Sequence, residues 1–161
     1  MINDCGDTDF DEMLAVINDG ANAYRGIIPA DRWHYPYMGR QELMDEISAQ
    51  VMFRGWTDTV TGLMGVMGSQ HVQDVLLIRH AYVKTAWQGR GIGAALLEDA
   101  LERAELPVLV GTWAAASWAI AFYRKHGFHL TEPAEKDRLL KKYWTIPDRQ
   151  IETSVVLSYG R

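Results

Sequence analysis

The stretch V-K-T-A-W-Q-G-R-G-I-G-A-A-L-L, from Val83 to Leu97, decides the fold of this chain. An apolar run, Val75–Val83, leads into it, and Gly91–Ala104 then carries Ile92, Ala95, Leu96 and Leu101 at helical spacing. The pattern predicts a buried strand, a short loop and a helix. Gly89, Gly91 and Gly93 lack a Cβ, so main-chain N–H groups can converge on one point and an anion can come close. A helix opening near Gly91 adds unpaired N–H donors and the positive end of its dipole. A phosphate or pyrophosphate suits such a turn.

Two other phosphate sites have related glycine patterns. Gly89, Gly91 and Ala94 satisfy the dinucleotide fingerprint G-x-G-x-x-A. Its context is missing, because Lys84–Gln88 separate strand from glycines and Val108–Trp113 does not end in an acidic residue. The phosphate loop of nucleotide hydrolases is excluded, since no lysine followed by serine or threonine closes the turn. A glycine-rich turn that binds nothing stays open as an alternative.

Outward from the turn, the elements alternate. A short strand near Ile2–Cys5 precedes a helix whose Phe10, Met13, Leu14, Ile17, Ala21 and Tyr24 form an apolar stripe, with Thr8 and Asp11 as a capping pair. Gly26–Gly39, with Pro29 and Pro36, is a loop, and a second helix turns Leu43, Met44 and Ile47 inward. Val51–Trp56 and Gly62–Gln70 are strands, the second weakened by its glycines. Val108–Trp113 is a buried strand, and Ser117–His126 is a helix capped by Gly127. Phe128–Leu130 and Ile151–Leu157 close the sheet, with a basic helix at Glu135–Tyr143 between them. The expectation is a single mixed α/β domain over residues 1–161, with six or seven strands and four or five helices.

Composition narrows the function. Apolar residues make up 48% of the 161 and charged residues 23%, ordinary for a globular protein. One cysteine, Cys5, rules out an internal disulfide framework and argues against a metal site; its place near the N-terminus suggests a frayed surface thiol. A net charge of −5 without a basic stripe argues against nucleic acid. No apolar run reaches the roughly 20 residues that span a bilayer, and the start, with Asp4, Asp7, Asp9 and Asp11, is unlike a signal peptide. The expected location is the cytoplasm, with no membrane contact.

Gln88-x-x-Gly91-x-Gly93, after a strand ending in Val83, resembles the coenzyme A signature of the GNAT superfamily of N-acetyltransferases. A second block, A-I-A-F-Y-R-K-H-G-F from Ala119 to Phe128, is similar to the later segment of the same family. The resemblance implies an α+β fold with a mixed, mostly antiparallel sheet. Its central parallel strands, here Val75–Val83 and Val108–Trp113, would splay apart around the pantetheine arm of acetyl-CoA. Main-chain groups of Ala81, Tyr82 and Val83 would meet the pantetheine. Those of Gln88, Gly89, Arg90, Gly91, Ile92, Gly93 and Ala94 would meet the pyrophosphate, with the Arg90 side chain as a further candidate.

The resemblance also implies that Tyr123 is the general acid that protonates the departing thiolate. Ser117 stands next to Ala116, where the family has a cofactor-touching asparagine. Glutamate or histidine bases of the family fall on Leu77 and Arg79 here, neither of which accepts a proton. His80 is the neighbouring candidate, although strand alternation turns it to the other face; His34, a water, or no base at all are the alternatives. Arg79 is a candidate for a carboxylate or phosphate on the acceptor, and Trp33, His34 and Tyr35 for its aromatic wall. The implied activity moves an acetyl group to a primary amine of a small molecule, amino acid or peptide. An acyl-CoA-binding regulatory module and a ligand-free structural role remain alternatives, and a homodimer is compatible with the family.

Overall fold

A computed structural model describes residues 1–160 of the chain. The chain packs as two compact units: residues 1–70 with 78–103, and residues 71–77 with the chain from Ala104 onward.

The first unit draws on β1 (Ile2–Asp4), α1 (Phe10–Gly20), α2 (Arg40–Ser48), β2 (Met52–Asp58), β3 (Gly62–Val72), β4 (Val75–Val83) and α3 (Ile92–Arg103). β1 pairs antiparallel with β2, and β2 with β3, with a register shift between Trp56 and Thr57. The apolar stripe of α1 buries Met13, Val16 and Ile17 against Leu43, Phe53 and Val66. Each such side chain, fully buried, contributes about 1.5–3 kcal/mol over its exposed state. The glycines of β3 do not break it. Gly65 lets α3 come close, because a Cβ there would lie 2.8 Å from Ile92 Cγ2.

Three expectations are corrected in this unit. A 3-10 turn, Asp7–Asp9, precedes α1, and the Gly6 N–H donates to Asp9 Oδ2 at 2.8 Å, so Asp9 caps the entry instead of the Thr8–Asp11 pair. Cys5 is not frayed: its N–H donates to Phe53 O at 2.9 Å, and burial pushes its thiol up to about 11. On α2 only Leu43 is buried; Met44 and Ile47 are 50% and 39% exposed. Glu46 occupies the inner side of this helix beside Leu43, hydrogen-bonded to His80, and Met44 and Ile47 rotate outward.

In the second unit, β5 (Val108–Trp113), α4 (Ser117–Lys125), β6 (His129–Leu130), α5 (Pro133–Tyr143), α6 (Asp148–Glu152) and β7 (Ser154–Tyr159) follow. β7 pairs antiparallel with β5, Val110 opposite Leu157, and with β6, Leu130 opposite Leu157. Leu139, Leu140 and Tyr143 of α5 pack with Val75, Leu77, Leu109 and Val156. The Tyr143 hydroxyl donates to Asp74 Oδ1 at 2.6 Å. The Leu76 N–H donates to Pro107 O at 2.9 Å, where β4 begins beside β5.

The expected strand Ile151–Leu157 starts later than the sequence pattern suggests. Pro147 sits at the N-cap of α6, and the N–H groups of Gln150 and Ile151 both donate to its carbonyl. Ile151 therefore buries its side chain from a helical turn, and β7 runs from Ser154.

The seven strands are ordered β1-β2-β3-β4-β5-β7-β6, mostly antiparallel with one parallel pair, β4 and β5. This is the mixed α/β architecture expected from the sequence.

Candidate active site

β4 ends where the turn begins. The Lys84 N–H donates to Met64 O at 2.9 Å, and the Thr85 N–H to Asp19 Oδ2 at 2.6 Å, which anchors a 3-10 turn over Thr85–Trp87. Gln88 then folds back, and its Nε2 donates to Val83 O at 3.2 Å. Its side chain clasps the turn. Gly89 and Gly91 have φ of +77° and +83°, in the left-handed region, and a Cβ at either would have no heavy atom within 4 Å. The face above both glycines is open.

The first helical hydrogen bond of α3 runs from Ala95 N to Gly91 O at 3.0 Å. The N–H groups of Ile92, Gly93 and Ala94 thus precede the ladder, at the positive end of a 12-residue helix. Ile92 is buried against Gly65, so only its main chain faces outward. The Arg90 guanidinium lies 4.5 Å from the Trp87 ring centre, which stands 6.2 Å from that of Trp56. Two left-handed glycines and three leading N–H groups stand together at the start of α3, the chemistry an anion site uses, with Arg90 stacked on Trp87 beside them.

Ala81, Tyr82 and Val83 are half-buried in the last residues of β4. In the second unit, Tyr123 is 6% exposed on α4, its ring edge-on to Phe122 and Phe128 at 5.2 and 5.4 Å. Ser117 is exposed as the first residue of α4, next to fully buried Ala116. Leu77 is fully buried in the apolar cluster of that unit.

The loop between α1 and α2 builds an aromatic group with β4. Tyr37 lies between Tyr24, Trp33, His34 and Tyr82, with ring centres 5.6–6.5 Å away. Burial pushes the Tyr37 phenol above the ordinary tyrosine range, opposed in part by a hydrogen bond with Tyr82. His34 is exposed and its Nδ1 donates to Pro36 O at 2.8 Å, which fixes its tautomer. Tyr35 is 90% exposed and has no place in that stack.

Arg79 and His80 meet at one carboxylate. His80 Nε2 is 2.9 Å from Glu46 Oε2, Arg79 Nη2 is 3.5 Å from the same oxygen, and Arg79 Nη1 donates to Gln70 Oε1 at 3.0 Å. Consecutive residues of a regular strand cannot do this. His80 has a φ of +55°, which breaks the alternation of β4 and brings both side chains to one side. The opposite-face placement of His80 is thereby corrected. The hydrogen bond from His80, aided by the Arg79 charge, holds the Glu46 carboxyl below the ordinary glutamate range despite its burial.

Residues 48–130 match the acetyltransferase (GNAT) domain. The chain belongs to the GNAT acetyltransferases. Its fold is similar to that of the PaiA N-acetyltransferase of Thermoplasma acidophilum solved with coenzyme A, with a TM-score of 0.73 and 17% identity over 100% of this chain and 98% of that one. A GNAT-family acetyltransferase of Staphylococcus aureus matches with a TM-score of 0.71 and 13% identity over 98% of this chain and 96% of that one. The N-acetylglutamate synthase of Neisseria gonorrhoeae, solved with coenzyme A and N-acetyl-glutamate, matches with a TM-score of 0.66 and 18% identity; 98% of this chain covers 34% of that one.

Acetyl-CoA is the acyl donor of this family. Sequence reasoning missed two polar residues of this GNAT chain. Glu46 lies on a helix with no motif, and only the folded register of β4 reveals its partners. Arg32 Nε is buried with no hydrogen-bond partner, in the 3-10 turn before Trp33. Nothing in the sequence around it separates it from a solvated arginine. Among the described residues, no helix is long and apolar enough to cross a membrane.

Proposed function

We propose that this GNAT protein transfers the acetyl group of acetyl-CoA directly to a primary amine of a small molecule, amino acid or peptide, within a ternary complex. The observation that carries the proposal is the open glycine cradle at Gly89 and Gly91, where a side chain is disfavoured by φ and the helix N–H groups lead outward. Main-chain groups of Gln88–Ala94 hold the pyrophosphate, Arg90 adds a charge-assisted contact, and main-chain groups of Ala81–Val83 bind the pantetheine arm. Ser117 supplies a further polar contact.

In the reaction, the acceptor nitrogen bonds to the thioester carbonyl carbon and the carbon–sulfur bond breaks. The Tyr123 hydroxyl protonates the departing thiolate. An ammonium acceptor loses two protons overall. One leaves through a base, for which His80 is our candidate, and the other balances the proton delivered to sulfur. Trp33, His34 and Tyr35, from the loop that carries the aromatic group, are proposed to shape the acceptor side, with Arg79 toward an acidic acceptor group. The donor is a metabolite of the cytoplasm, where we place the activity.

The test is to incubate the purified protein with acetyl-CoA and a pooled library of amines, amino acids and peptides, and to follow free thiol. Acceptor-dependent thiol release supports the proposal. Tight acetyl-CoA binding without release would favour a binding module, and absence of binding would overturn the reading.

A further inference from the structure

We propose that Glu46 is a positioning residue that holds His80 in the tautomer needed to accept a proton from the acceptor amine at Nδ1. The inference rests on the acetyl-transfer reading above and extends it to a residue of α2. An ionised carboxylate only accepts hydrogen bonds, so the Nε2–H of His80 must donate across the 2.9 Å to Glu46 Oε2. A neutral imidazole has one N–H. Its lone pair therefore resides on Nδ1, to which no group among the described residues is bonded.

The second observation is the backbone. His80 holds a left-handed conformation in the middle of a strand, an arrangement unfavourable for a side chain with a Cβ that persists only where the surroundings enforce it. Three elements pack around this segment. Phe53 of β2 stacks on the imidazole at 6.2 Å and 27°. Gln70 of β3 donates to Ala49 O at 2.9 Å and accepts from Arg79. Glu46 of α2 receives both Arg79 and His80.

The charged groups facing the imidazole are Glu46 and Arg79, of opposite sign. Glu46 stabilises the imidazolium that forms when Nδ1 takes a proton. Arg79, at 3.5 Å from the same carboxylate oxygen, lowers that stabilisation and keeps Glu46 ionised. One proton moves from the acceptor ammonium to Nδ1 and then to solvent, and the freed amine lone pair forms the new bond to carbon.

Three variants test this. His80→Gln can still donate an amide N–H to Glu46, so it retains a merely structural bridge while removing the base. It is expected to lower kcat/KM by about 10²–10³-fold and to abolish the acid limb of the pH profile, with acetyl-CoA affinity unchanged. Glu46→Gln is expected to lose less, on the order of tenfold, and to move that limb to lower pH, because the imidazolium loses its carboxylate. Glu46→Ala removes the acceptor altogether, and nitrogen-15 spectra should show the His80 ring changing from the Nε2–H tautomer to a mixture. Full activity and an intact acid limb in His80→Gln, or an Nδ1–H tautomer in the wild-type spectra, would overturn the proposal. If the wild-type protein binds acetyl-CoA but releases no thiol with any amine, the transfer reading fails and the base role with it; the spectra then report only on the hydrogen bond.

Discussion

Replacing Gly91 with alanine separates backbone strain from ligand recognition. Gly91 has a φ of +83°, and the added Cβ would meet no heavy atom within 4 Å. The free protein therefore pays only for the left-handed conformation, roughly 1–2 kcal/mol. For a chain of this size each kcal/mol shifts Tm by about 2–4 °C, so a fall of about 2–8 °C is expected. Binding bears a second cost. The Cβ projects into the open face where the pyrophosphate would approach, and losing one charge-assisted N–H contact is worth about 1.5–3 kcal/mol, or roughly 10- to 150-fold in Kd.

Gly26 supplies the control. Its φ is +80°, with nothing within 4 Å of an added Cβ, and it lies in the loop after α1 instead of in the cradle. Gly26→Ala should lower Tm by a similar amount and leave the acetyl-CoA Kd unchanged. Calorimetric titration of acetyl-CoA and thermal melts of the three proteins decide the matter. Equal acetyl-CoA affinity in Gly91→Ala and Gly26→Ala would refute the pyrophosphate cradle.

Tyr123→Phe should slow turnover by about 10²-fold or more while acetyl-CoA affinity changes little, measured as kcat against Kd; unchanged kcat removes the acid role. The depressed carboxyl of Glu46 stabilises the fold above the ordinary glutamate range, and that contribution is lost as pH falls through the lower folded value. Melts of wild type and Glu46→Gln should differ at neutral pH and converge as acidification carries the pH below the ordinary glutamate range and through the lowered folded value, and a gap that widens on acidification would contradict the hydrogen bond to His80. Arg32→Met keeps an apolar stem and removes the orphaned Nε, so Tm should hold or rise, since an unsatisfied buried donor costs about 1–3 kcal/mol. A large fall in Tm would show that the guanidinium is satisfied in solution.

The strand, glycine turn and helix from Val75 to Leu97 were legible because their determinants are local. Glycine spacing, the strand before it and the helix after it all lie within Val75–Leu97, and the folded turn uses them as the spacing suggests. Even there the Gln88 side chain turned out to clasp Val83 O, a role that spacing alone does not reveal. The misplacements have non-local or geometric causes. Ile151 alternates well enough to look like a strand residue, yet Pro147 starts a helical turn beneath it. Met44 and Ile47 suit an inward face of α2, but Glu46 is drawn inward by His80, 34 residues away. The facing of His80 depends on a single positive φ, and period-two reasoning assumes that no such residue interrupts the strand. The aromatic group around Tyr37 depends on loop packing, which no periodicity encodes.

The most direct measurement follows the acetyl group itself. The protein is incubated with acetyl-CoA carrying an isotopic label in the acetyl carbon, together with a pooled amine library, and the products are resolved by mass spectrometry. The account predicts the label in a new amide, formed in step with free coenzyme A and abolished when acceptor is omitted. Label appearing only as free acetate, or remaining wholly in acetyl-CoA with every amine, would contradict it.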